Sequence, residues 1–378
     1  MPAPGKPWIT ANQVTLGRLI PMPLLSWLIY EGAKSGYENN PYMWGALIAG
    51  VIVGSTDWVD GMLARKYGPT ILGGLLDPIA DKVFIAFAYI PFADDVVGGT
   101  SLVPAWVVAL MFTREFFITA LRSAYEQRDL TLKTSYLAKV KTWTQMQGIG
   151  VMLLFPLIPA DKQHILVWFL GALTLAPLPL VVFLSIKRKK LWRGGLIMAG
   201  SVAPIFALAW HGDIQLTLRW IMIAVVGLTW ISGLDYILVG WKQLRGRGDF
   251  TKADAVRLIG ALALPALVFG VLVETDAPAW PVFTIMAFEL SVGGLDNLLS
   301  HHKVATKALA WGGRVLGVCA LLGGALLLPD QATLFAAVAA VVSVIGVSAE
   351  FWRGRDYFMD KRIRDKAARA AAAEQETR

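Results

Sequence analysis

The chain has 378 residues, of which 56% are hydrophobic and 16% charged, with a formal charge of +8 and a mean hydropathy of +0.56. So apolar a composition excludes a soluble globular protein, and a single cysteine excludes a disulfide-stapled scaffold. Repeated apolar runs of about 20 residues fit bilayer crossings instead, so the expected fold is all-α, a polytopic transmembrane helical bundle.

About twelve spans are predicted, centred near Pro23, Ile48, Ile85, Val108, Met152, Leu173, Gly200, Val226, Leu267, Ile285, Leu321 and Val341. With residue 1 cytoplasmic, alternate loops collect nearly all of the Lys and Arg. These loops hold Arg65 and Lys66, the stretch from Arg122 to Lys141, Lys187 to Lys190 with Arg193, Lys242 to Lys252, Lys303 with Lys307, and the tail. Only Lys34, Lys162 and Arg219 are left on the far side. The positive charge then follows from topology. It calls for no nucleic-acid partner and favours anionic membrane lipids. The opening residues lack the basic start, apolar core and cleavage site of a signal peptide. A multi-pass protein of the inner (plasma) membrane with a cytoplasmic N-terminus is expected.

The first span begins with polar Asn12, Thr15 and Arg18. These residues read equally well as an interfacial amphipathic helix or as a helix start with a snorkelling arginine, and no chemistry is assigned to them. The stretch Thr56 to Asp81, TDWVDGMLARKYGPTILGGLLDPIAD, then sets four carboxylates, Asp57, Asp60, Asp77 and Asp81, at the ends of two apolar segments. Acids inside a membrane mark function. Asp57 and Asp60 share a face with Ala64 on one helix, while Asp77 and Asp81 are i, i+4 on the next. Gly68-Pro69 and Gly73-Gly74 break the helix between them, so the two rows are predicted to face each other. Oxygen-only ligands point to one or two Mg²⁺ or Mn²⁺ ions. Gly61 removes a side chain where a ligand approaches the backbone, and Arg65 can grip phosphate oxygens. Metals, an arginine and a glycine opening together imply a diphosphate.

Farther on, Arg114 and Glu115 lie inside an apolar run, where the arginine needs an anion. Lys139 and Lys141 precede Thr142 near a predicted helix start, where backbone N–H groups favour phosphate. Residues 160–212 supply two extra spans, read as an inserted hairpin, whose KRKK run reads as a loop that holds topology. Residues 250–350 read as a four-span non-catalytic membrane module. Its TKADAVRLIGALALP faintly echoes the first span and SVGGLDNLLSHHK the acidic stretch, where Asp296 alone offers a plausible counterpart to the motif carboxylates. Hydrophobic helix composition explains that echo as readily as a degenerate repeat does. His301 and His302 read as solvated, Cys319 as packing, and residues 351–378 as a charged cytoplasmic tail that frays.

The order Asp57-x2-Asp60-Gly61-x2-Ala64-Arg65-x7-Gly73-x3-Asp77-x3-Asp81 resembles the signature of the CDP-alcohol phosphotransferases, integral membrane enzymes that displace CMP from a CDP-activated alcohol. The blocks Arg114-Glu115-Phe116, Lys139-Val140-Lys141-Thr142 and Ser232-Gly233-Leu234-Asp235-Tyr236 look like those of bacterial phosphatidylglycerophosphate synthases. The resemblance covers residues 8–158 and 216–241, so residues 1–245 form the expected catalytic domain. It implies CDP-diacylglycerol as donor and glycerol 3-phosphate as acceptor, with membrane lipids as surroundings, and it leaves room for a homodimer. It further implies metal binding by Asp57, Asp60, Asp77 and Asp81, with Asp81 also taking the acceptor's proton. Gly61, Ala64 and Arg65 would hold the CDP part, and Arg114, Arg122, Lys139 and Lys141 the acceptor's phosphate. Inositol phosphate or phosphatidylglycerol are alternative acceptors. A membrane carrier fits less well, because its sites lie near the midplane of two matched halves.

Overall fold

Two capped starts and one sharp break shape the N-terminal end. Thr10 caps α1 (Ala11–Gly17) in a reciprocal capping box with Gln13. The helix stops at Arg18, and Pro21 opens α2 (Pro21–Lys34). Arg18 therefore stands at a helix end, where its side chain can turn into the bundle. α3 (Pro41–Tyr67) starts from Asn40, whose side chain accepts from the Tyr42 N–H, and ends at Gly68 with φ +95°, a backbone conformation that glycine adopts freely. The computed structural model describes residues 9–68, 70–93, 102–126, 128, 136–188, 193–210, 213–234, 236–240, 243, 246, 250–301 and 308–359.

α4 (Ile71–Ala93) is the central helix, buried on nearly every side, and packs against α1, α2, α3, α5 (Ala105–Glu126) and α6 (Tyr136–Leu154). Beyond Lys82 the helix is apolar all round and so belongs in the interior, and its Phe84, Tyr89 and Phe92 sit in one continuous core with Phe112, Met152 and Met222. The buried Tyr89 hydroxyl donates to the Gln145 carbonyl at 2.8 Å, which satisfies the one polar atom of that ring and ties α4 to α6. Residues 160–209 form α7 (Gln163–Leu175), α8 (Pro177–Arg188) and α9 (Arg193–Ala209). Trp143 and Gln147 of α6 both donate to Ser201 of α9, and α9 meets α10 (Ile214–Ile231). The C-terminal helices α11 (Lys252–Glu274), α12 (Trp280–His301), α13 (Ala308–Leu327) and α14 (Ala332–Met359) follow. α11 lies along α5, and α12 packs on both α4 and α5.

The all-helical expectation holds: no strand occurs among the described residues. Each of the twelve predicted span centres falls inside a helix. Twelve crossings are nevertheless not established, because among the described residues six helical stretches are long and apolar enough to cross a membrane. For three of the other six helices the cause is physical. α4 carries Asp77, Asp81 and Lys82, α5 carries Arg114, Glu115 and Arg122, and α2 has only 14 residues. Most of the charges that spoil these helices as lipid-facing spans belong to the site described next.

Candidate active site

α3 and α4 bring the two carboxylate rows to one place, but they do not meet directly, because α1 is wedged between them. The Thr15 hydroxyl lies 2.9 Å from Asp60 Oδ2 and 3.0 Å from Asp77 Oδ1, and 3.1 Å from the Ala11 carbonyl. One hydroxyl proton cannot satisfy all three acceptors at once. Arg18, only 4% exposed, reaches Asp57 with Nη1 and Asp81 with Nη2, each at 3.1 Å, and its Nη1 stands 4.0 Å from Asp60. Its Nη2 also donates to the Asp77 carbonyl at 3.2 Å. Gly73 lets this wedge seat, since a Cβ there would stand 3.0 Å from both Asn12 Oδ1 and Thr70 Oγ1. Those two side chains are themselves hydrogen-bonded at 2.9 Å.

The charges at this point do not balance. One guanidinium faces four carboxylates, and the buried Asp81 Oδ1 has the Arg18 ion pair but no hydrogen bond. Excess negative charge out of water is costly unless a cation compensates it. The donor set is all oxygen, so the residues fit a hard divalent ion. Among the described residues, no three carboxylate, histidine or cysteine side chains converge on one point as they stand. The Arg18 guanidinium lies among them, bridging Asp57 and Asp81 beside Asp60.

Asp57, Asp81 and Arg18 line a cavity of about 1100 Å³. Its other polar wall is cationic. Arg114, 4% exposed, donates to Ser232 Oγ at 2.9 Å and lies 3.4 Å from Glu115 Oε1. Lys141 pairs with the same Glu115, and Lys82 donates to Thr119 Oγ1 at 2.8 Å. Arg122 pairs with Glu126 at 3.0 Å. Four cations against two carboxylates leave a positive surplus suited to a dianionic phosphate. A third wall is apolar. From Asp57 the cavity follows α3 back through Val51 to Leu47, opposite Ile149 and Leu153 of α6, a length of about 15 Å along the helix.

The structure therefore brings Asp57, Asp81, Arg114, Arg122 and Lys141 to one cavity, with Asp60 and Asp77 directly behind, against α1. Gly61, Ala64 and Arg65 do not line it. They continue α3 one to two turns beyond Asp57, where Arg65 is exposed and folds back so that a Cβ at Gly61 would stand 3.4 Å from its Nη1. Lys139 lies in α6, but its side chain falls outside the described residues, as do Asp235, His302 and the tail beyond residue 359. Sequence reasoning assigned no chemistry to Thr15 and Arg18, and that reading is corrected here, since both touch the acids. A signal was available: Asn12, Thr15 and Arg18 are spaced to share one face of a short helix. Lys82 was also missed, although a lysine beside Asp81 inside an apolar helix is costly without an anionic neighbour.

Residues 8–176 match the model of the CDP-alcohol phosphatidyltransferase family. The chain is 31% identical over 169 residues to a CDP-diacylglycerol–glycerol-3-phosphate 3-phosphatidyltransferase of Bacillus subtilis, covering 42% of this chain and 84% of that one. It is 35% identical over 148 residues to a probable phosphatidylglycerophosphate synthase of Mycobacterium tuberculosis, covering 38% of this chain and 65% of the relative. A Cereibacter sphaeroides protein named as the same 3-phosphatidyltransferase is 29% identical over 252 residues, 65% of this chain and 99% of its own. No solved structure matches. With the acidic motif lying inside the residues that match the family model, and with a relative 31% identical and covered over 84% of its length, the chain belongs to the CDP-alcohol phosphatidyltransferase family.

Proposed function

We propose that the chain transfers the phosphatidyl group of CDP-diacylglycerol to sn-glycerol 3-phosphate, making phosphatidylglycerophosphate and releasing CMP. The observation that carries this reading is the three-walled cavity, with carboxylates, a surplus of cations and an apolar limb opening on one space. Acyl chains would lie along Leu47, Val51 and Leu153, and the diphosphate at the acids. The acceptor's own phosphate would sit against Arg114, Arg122 and Lys141, with Lys82 and Lys139 adding to that field. Gly61, Ala64 and Arg65 would hold the CDP moiety at the cytoplasmic end of α3, with the site and the N-terminus on the cytoplasmic side of the inner membrane.

Asp57, Asp60, Asp77 and Asp81 would hold one or two Mg²⁺ or Mn²⁺ ions, which supply neutralisation of the diphosphate and polarise its P–O bonds when bound. The acceptor hydroxyl attacks the phosphorus that carries the diacylglycerol. A P–O bond forms to the acceptor oxygen, and the bond to CMP breaks with its electron pair leaving on CMP. Asp81 takes the hydroxyl proton. A carboxylate beside cations is a weak base, so positioning by the cationic wall and charge stabilisation supply much of the acceleration.

The test is CMP release by the purified chain in liposomes with CDP-diacylglycerol and Mg²⁺, comparing glycerol 3-phosphate, inositol phosphate, serine and phosphatidylglycerol. Turnover with glycerol 3-phosphate alone is expected. Preference for another acceptor overturns the substrate assignment, and no turnover with any overturns the activity.

A further inference from the structure

Thr119 of α5 is fixed from two sides. Its hydroxyl donates to the Glu115 carbonyl one turn back at 2.6 Å, which leaves the oxygen's lone pairs to accept, and Lys82 Nζ of α4 donates to that oxygen at 2.8 Å. Its methyl faces α12, which comes so near that a Cβ at Gly293 would stand 3.3 Å from Thr119 Cγ2. The next residue brings α12 closer still to α4, since a Cβ at Gly294 would stand 2.8 Å from Ile79 Cγ1. Buried ion pairs hold the helix in this seat. Asp296 pairs with Arg257 of α11 at 3.0 Å, and Glu289 pairs with Arg314 of α13. α12 also lies beyond residues 8–176, the part that matches the family.

Among the described residues, Lys82 is the cation of this wall that no carboxylate answers. Arg114 and Lys141 share Glu115, and Arg122 has Glu126. The buried acids of α12 are taken by Arg257 and Arg314. Lys82 has the neutral Thr119 hydroxyl, so two of the three donors of its ammonium group are left without a protein acceptor. The residue is half-buried and lines the main cavity. A charge held largely out of water needs an opposite charge, and here the cavity's occupant has to bring it. Lys82 follows Asp81 but leaves α4 about 100° further round the helix, and it reaches α5, the helix that carries Arg114 and Arg122. The anion assigned to that wall is the acceptor's phosphate.

We propose that Lys82 contacts the acceptor's phosphate directly and that Thr119, seated by α12, is the positioning residue that aims it, so that the C-terminal helices act on acceptor binding. This rests on the acceptor reading given above. The experiment is steady-state kinetics of the full chain in liposomes, with each substrate varied in turn. Lys82→Met, which keeps most of the side chain's length, is expected to raise the KM for glycerol 3-phosphate about tenfold or more, the worth of hydrogen bonds to a charged group. The KM for CDP-diacylglycerol is expected to stay within about twofold of wild type. Thr119→Val keeps the shape without the hydroxyl and is expected to raise the glycerol 3-phosphate KM about three- to tenfold. Thr119→Ser, which keeps the hydroxyl, is expected to stay within about twofold of wild type. A rise for CDP-diacylglycerol instead assigns Lys82 to the donor's diphosphate and overturns the proposal, as do unchanged KM values for both substrates. A loss in Thr119→Ser equal to that in Thr119→Val overturns the role given to the hydroxyl. Gly293→Ala, which presses on the Thr119 methyl, is expected to raise the glycerol 3-phosphate KM, and adding Thr119→Ser, which removes that methyl, is expected to reverse the rise. No rise, or a rise that is not reversed, overturns the part given to α12. A second readout needs no turnover. Inorganic phosphate titrated calorimetrically into the full chain in EDTA is expected to bind Lys82→Met about tenfold more weakly than wild type. No binding by wild type, or undiminished binding by the variant, overturns the proposal. Should wild type use a different phosphorylated alcohol, the function reading fails separately, and the phosphate titration still decides on Lys82.

Discussion

Arg18 is the residue whose removal tests the charge balance of the acidic cluster most sharply. Its guanidinium is 3% exposed and contacts Asp57, Asp60 and Asp81, whose side chains are 54%, 4% and 31% exposed. The arm to Asp57 is largely solvated and contributes little. The weight rests on Asp60 and Asp81, where each charge pair near 4 Å is worth about 4 kcal/mol at an effective dielectric of 20 before desolvation. Replacing Arg18 with glutamine keeps a side chain of similar reach and leaves those acids uncompensated, a loss expected near 3–5 kcal/mol. The assay is the apparent Tm of the full chain in detergent, with EDTA or with Mg²⁺. In EDTA the Arg18→Gln variant should melt several degrees below wild type. Saturating Mg²⁺ should then raise the variant more than the wild type, because a cation present at about 100 times its Kd restores about 2.7 kcal/mol. Equal melting of the two proteins in EDTA would refute the claim that Arg18 compensates buried acids. A variant that Mg²⁺ does not stabilise would refute the claim that the cluster takes a divalent ion.

Asp81→Asn should cut kcat for CMP release by about 10²–10⁴, the usual worth of a positioned base, with the KM for glycerol 3-phosphate little changed. Lys141→Met should raise the KM for glycerol 3-phosphate by about tenfold or more while leaving that for CDP-diacylglycerol near wild type, because Lys141 lies in the wall assigned to the acceptor's phosphate. Steady-state kinetics with each substrate varied in turn checks both. Gly294→Val should push α12 away from Ile79, where a Cβ would stand only 2.8 Å from Cγ1, and cost about 1–3 kcal/mol of stability, read as a lower apparent Tm.

What the sequence revealed and what it concealed divide along local and non-local lines. The acid pairs at i, i+3 and i, i+4 are local, and so is the glycine break between α3 and α4, so the rows and their approach were legible. Arg114 was legible too, because a charge deep in an apolar run needs a partner, and the structure supplies Glu115 and Ser232. The wedge of α1 was not. Asn12, Thr15 and Arg18 are spaced to share a face, but a seven-residue helix repeats that spacing too few times for it to stand out, and Arg18 near a span's start reads as snorkelling as easily as buried. Lys82 was hidden in the same way, one place after an acid that already explained the polarity. Twelve crossings are not established in part because the charges that build the site sit inside α4 and α5. The seat of α12 depends on Gly293 and Gly294 meeting residues 79 and 119, contacts that no pattern within α12 specifies.

The measurement closest to the central claim follows label from sn-[¹⁴C]glycerol 3-phosphate into lipid, using the purified chain in liposomes with CDP-diacylglycerol and Mg²⁺, beside Asp81→Asn. Label in phosphatidylglycerophosphate, matched mole for mole by CMP and absent from the variant, is the predicted result. Label that stays in the aqueous phase while the wild type releases CMP, or lipid label that persists in Asp81→Asn, would contradict the account.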